Sequence, residues 1–69
     1  MATKRVVVSG GGENLYRISI YDNKYTVSQV DVGYITNDYI RIGEARSMDD
    51  ALRIIKAHSG QSIIKITDW

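Results

Sequence analysis

Ser47-Met48-Asp49-Asp50 opens the one stretch of this chain whose apolar residues recur with a helical period; the residues on either side alternate apolar and polar with period two. A chain with one helix and several strands has few ways to bury itself, and the simplest lays the helix across one face of a sheet. Ser47 is placed to accept a hydrogen bond from the Asp50 backbone N–H as an N-cap. Asp49 and Asp50 complement the positive end of the helix dipole, and Lys56 and His58 complement the negative end. Gly60 supplies the left-handed residue that ends a helix. The spacing predicts a helix over 48–58. Met48, Ala51, Leu52 and Ile55 face inward, Ile54 and His58 lie at the edge, and Asp49, Arg53 and Lys56 lie opposite.

The flanking residues divide into strands. Lys4 to Val8 is a β-branched run, followed by the turn cluster Ser9-Gly10-Gly11-Gly12-Glu13-Asn14. Leu15 to Tyr21 alternates strictly. Asp22-Asn23 is a two-residue hairpin turn, since both residue types tolerate left-handed backbone. Lys24 to Val32 follows, and its inward register slips between Val27 and Val30, which predicts a bulge near Ser28-Gln29. Gly33 to Asp38 reads as a loop or an irregular extension, Tyr39 to Gly43 as a strand, and Ser62 to Asp68 as the closing strand. The expected architecture is α+β, a small two-layer domain of order β-β-β-β-α-β. A curled antiparallel sheet of four to five strands carries the helix on one face. The expected inward set is Tyr16, Ile18, Ile20, Tyr25, Val27, Ile40, Ile42, Ile64 and Ile66.

With 69 residues the chain is a single domain over 1–69. A chain of this size buries only about 60% of the surface its unfolded form exposes. Small domains compensate with disulfides, metals or partner subunits, and zero cysteines exclude the first. Self-association, most simply as a homodimer, is therefore the expected device. The net charge of +1 gives no bulk attraction for a polyanion, so such binding would need a local basic patch. No apolar run approaches the roughly 18 residues of a membrane span, and the N-terminus lacks a secretory apolar region. By elimination the expected setting is the cytoplasm of a prokaryote or a phage-infected cell.

Most chemistry-bearing motifs fail on inspection. Gly10-Gly11-Gly12 lacks the third glycine of a dinucleotide loop and the Gly-Lys-Ser/Thr ending of a P-loop, and a strand follows where both need a helix. His58 is the only histidine, and Ser59 beside it cannot face it on a helix. The carboxylates fall mostly in turns and at the helix start, without calcium-loop spacing. The reading is a non-enzymatic chain with no catalytic residues, no metal site and no cofactor.

One surface stands above background. By alternation the sheet face away from the helix carries Arg17, Ser19, Tyr21, Thr26, Tyr39, Arg41, Ile63, Lys65, Thr67 and Trp69. Cations interleaved with aromatics form protein interfaces, where Tyr, Trp and Arg are enriched. They also stack bases and hold phosphates. The expected function is a small interaction module acting through this face on a protein partner or a second copy. The alternative is a nucleic-acid-binding protein, single-stranded or structured in its target. The candidate binding residues are Arg17, Tyr21, Tyr39, Arg41, Lys65 and Trp69.

Arg46-Ser47-Met48-Asp49-Asp50-Ala51-Leu52 resembles the helix entry of HicB-type antitoxin domains. That resemblance implies an architecture related to a truncated double-stranded-RNA-binding fold over residues 15–66. It rests on about seven residues, and the family's Pro-Gly segment has no counterpart in a chain without proline. It implies no functional residues here.

Overall fold

The computed structural model describes residues 2–10 and 14–69. Five strands and one helix follow the order β1 (Ala2–Val8), β2 (Leu15–Tyr21), β3 (Lys24–Val32), β4 (Asn37–Ala45), α1 (Met48–Ser59) and β5 (Ile63–Asp68). The sheet is antiparallel throughout, in the order β4-β3-β2-β1-β5, and does not close into a barrel. The α+β expectation therefore holds. Asp22 and Asn23 adopt φ values of 50° and 62°, as a tight hairpin between β2 and β3 requires. Part of the Gly-rich turn, residues 11–13, lies outside the described residues, but the β1–β2 hairpin it serves is present.

The helix forms where its caps are. Ser47 Oγ accepts from the Asp50 N–H at 3.2 Å, and Gly60, at φ 68°, donates its N–H to the Lys56 carbonyl. The short links Arg46-Ser47 and Gly60–Ser62 fix its path. It leaves the corner where β4 ends and returns at the corner where β5 begins, crossing the sheet diagonally. It packs mainly against β3 and β4. Ala51 and Ile55 seal a core of Val6, Val8, Tyr16, Ile18 and Val27, each at most 1% exposed. Burying side chains of this kind contributes about 1.5–3 kcal/mol each.

The diagonal path corrects the expected core. Ile40 is 52% exposed and Ile66 43%, because the helix leaves two sheet corners uncovered, and Ile64 is 65% exposed because it is the extra residue of a bulge in β5. Val6 and Val8 of β1 take their place.

Two irregularities set which way side chains point. Val27 pairs with Gly43 but Ser28 pairs with Arg41, so Ile42 is an extra residue in β4. The expected slip on β3 is at this level, but β3 itself pairs with β2 without a break, and Val30 lies on the face away from the helix. In β5, Val7 pairs with Lys65 and Val8 with Ile63, leaving Ile64 extra. Ile63, expected to point outward, therefore turns toward the core, and Lys65, Thr67 and Trp69 stay on the far face.

Candidate functional site

Because cross-strand partners share a face, the register assembles the far surface directly. Arg41 pairs with Ser28, Ser28 with Arg17, Arg17 with Arg5, and Arg5 with Thr67. Three arginines thus lie in one row across the sheet. The bulge at Ile42 allows this. Gly43 faces the helix against Ile54, and without the extra residue Arg41 and Tyr39 would follow it inward.

Two aromatic rings close over the middle of the row. Trp69 is fixed by its N–H to the Thr3 carbonyl at 3.0 Å, which extends the β1–β5 ladder. The Arg5 guanidinium lies 4.9 Å from the centre of the Trp69 ring and that of Arg17 lies 5.5 Å from it. Arg17 is also 4.8 Å from the Tyr39 ring, and Tyr39 and Trp69 meet edge to face at 6.0 Å. Cation–π stacking uses the flat faces of a guanidinium and leaves in-plane donors for an anion. Arg17 Nε is buried and makes no hydrogen bond among the described residues. Arg5 faces Arg17 although like charges directly opposite destabilise a sheet. A fold that tolerates both an unpaired donor and a like-charge pair in one place breaks local rules there, as binding sites commonly do.

Of the sequence-derived candidates, Arg17, Tyr39 and Trp69 come together. Arg41 shares their row and pairs with Glu44 at 2.7 Å. Lys65 is on the same face one pairing row away, and Tyr21 lies at the far end of β2, outside the cluster. Arg5 joins the row from β1, a β-branched run whose sequence alone does not show which side faces the helix. Its alternation with the buried Val6 fixes its side.

Charge is unevenly distributed. Among the described residues the far face carries Arg5, Arg17, Lys24, Arg41 and Lys65 against the carboxylate Glu44, a net of +4 in a chain of net +1. The other described residues carry four cations, Lys4, Arg46, Arg53 and Lys56, against six aspartates, a net of −2. The ordinary composition conceals a one-sided basic patch.

A second polar group lies on the helix side. Tyr16 Oη and His58 Nδ1 are 2.9 Å apart, with their rings edge to face at 82°. Ser9, Asn14, Gln29, Ser59 and Gln61 complete the cleft around them, and no described carboxylate lines it. Among the described residues no carboxylate joins His58 in this cleft, as acid–base chemistry would require.

No family model, no curated protein and no solved structure matches this chain. No helix among the described residues is long and apolar enough to cross a membrane.

Proposed function

We propose that this chain is a non-enzymatic binding module whose open sheet face holds single-stranded nucleic acid. The observation that carries this reading is the Arg5–Arg17–Ser28–Arg41 row, roofed by Tyr39 and Trp69, on a face of net +4. Phosphates pair with in-plane guanidinium donors, and bases stack on the rings, which are 45% and 41% exposed. A sheet suits splayed single strands better than a duplex groove. Self-association through this face is disfavoured, because two copies meeting face to face would press like charges together. A second copy would have to use another surface, such as a strand edge.

The test is titration of the protein with a fluorescently labelled oligothymidylate of about 12 nucleotides. With three to four phosphates neutralised, log Kobs falls against log salt with a slope of about −2 to −3. Arg17→Ala weakens binding and flattens that slope. An affinity indifferent to salt, or equal for wild type and Arg17→Ala, would reject the reading. Preference for an acidic protein over the oligonucleotide would reassign the face to a protein partner.

A further inference from the structure

Strands β3 and β4 each run nine residues and outreach the rest of the sheet. The β2–β3 pairing ends at Tyr16–Gln29, while β3 and β4 continue together through Val32–Asn37. The two strands therefore project as an arm. Its tip is apolar and open: Tyr34 is 107% exposed, Ile35 92% and Val32 67%. The turn is tight, since a Cβ at Gly33 would come within 2.2 Å of the Thr36 carbonyl oxygen. Solvated turns are ordinarily polar, so an apolar pair held at the end of a two-stranded arm calls for a surface to meet it.

The arm has two unlike sides. Toward the helix side, Asp31 and Asp38 lie directly opposite each other. Toward the arginine row lie Val30, Val32 and Tyr39, and Tyr39 is itself the ring stacked on Arg17. The acidic side repels phosphates; on the other side Val30 is buried beside Tyr39, and the exposed Val32, with Asn37 opposite it, carries the proposed binding face on toward the tip. From the Ser28–Arg41 pair to the Val32–Asn37 pair is four residues, about 13–14 Å at strand rise.

We infer that the β3–β4 arm is the base-contacting extension of this face, with Tyr34 and Ile35 packing on unstacked bases of the strand whose phosphates lie along the arginine row. This rests on the nucleic-acid reading above. The arm supplies apolar contact and the row supplies charge, so the two contributions separate by salt dependence.

The experiment compares wild type, the double variant Tyr34→Ser/Ile35→Ser, and Arg17→Ala, titrated with oligothymidylates of about 4 to 12 nucleotides at several salt concentrations. The tip variant is expected to bind the longer oligonucleotides about tenfold more weakly with an unchanged salt slope, and to gain less than wild type from added length. Its circular dichroism and thermal midpoint should match wild type, because the replaced side chains touch solvent. A tip variant that binds like wild type while Arg17→Ala does not would overturn the arm's role and leave the face reading intact. A tip variant with unchanged oligonucleotide binding but a smaller sedimenting species would also overturn it, making the tip a contact between copies. Absence of binding by wild type would remove both.

Discussion

Arg5 and Arg17 stand directly opposite each other on β1 and β2, and both guanidiniums lie within 6 Å of one indole, that of Trp69. The ring places electron density over two cations that would otherwise repel. This couples the end of the chain to the middle of the sheet and makes Trp69 structural as well as exposed.

The coupling is measurable. Trp69→Ala should destabilise the protein, and by less when Arg5 is already Thr. A double-mutant cycle in urea should return a coupling of about 0.5–1 kcal/mol. Strict additivity would mean the stacking is incidental.

The helix cap carries a separate share. Ser47→Ala removes the acceptor for the Asp50 N–H and should lower stability by about 1 kcal/mol, read as a lower urea midpoint with an unchanged m-value. Ser47→Asp should largely restore it. Equal loss in both variants would assign the effect to something other than capping.

Tyr16 tests the helix-side pair. Its ring is 1% exposed, while its hydroxyl reaches His58. Tyr16→Phe keeps the packing and removes the hydrogen bond, so it should cost about 0.5–1.5 kcal/mol, well below the ~3–5 kcal/mol of Tyr16→Ala. A Phe variant as damaged as the Ala variant would contradict this division.

Asp68 gives an acid-side prediction. The Lys4 ammonium, hydrogen-bonded to its carboxylate and attracting it, holds its pKa below the ordinary 3.8. A depressed folded pKa gives stability that is present above the unfolded value and lost as pH falls through the lower folded one. The stability difference between wild type and Asp68→Asn should therefore be constant near neutrality and shrink only as pH drops below about 4. The carboxylate is fully exposed, so the effect is small and should weaken with salt. A difference that grew on acidification would have the wrong sign.

Much of the fold was legible because local signals agreed. Ser47 and Gly60 bounded the helix, Asp22-Asn23 marked the hairpin, and Leu15–Tyr21 alternated without a break. Ile40 and Ile66 were misread because apolar alternation reports a side of the sheet, while burial depends on how far one diagonal helix reaches; Ile64 was misread because it is the extra residue of the β5 bulge. Ile63 was misread because no residue type announces the bulge at Ile64. The aromatic and cationic candidates were legible as a list. Their convergence was not, since it depends on the register that lines up Arg5, Arg17, Ser28 and Arg41. The length of the arm was not legible because Gly33–Asp38 reads equally as a loop or an irregular extension, whereas pairing resumes at Asn37.

The most direct test of the central claim is the salt dependence of oligothymidylate binding by wild type and by an Arg5→Ala/Arg17→Ala/Arg41→Ala variant. Binding through the arginine row predicts a steep negative slope for wild type and a nearly flat, much weaker line for the variant. Superimposable lines from a variant that still folds would contradict it.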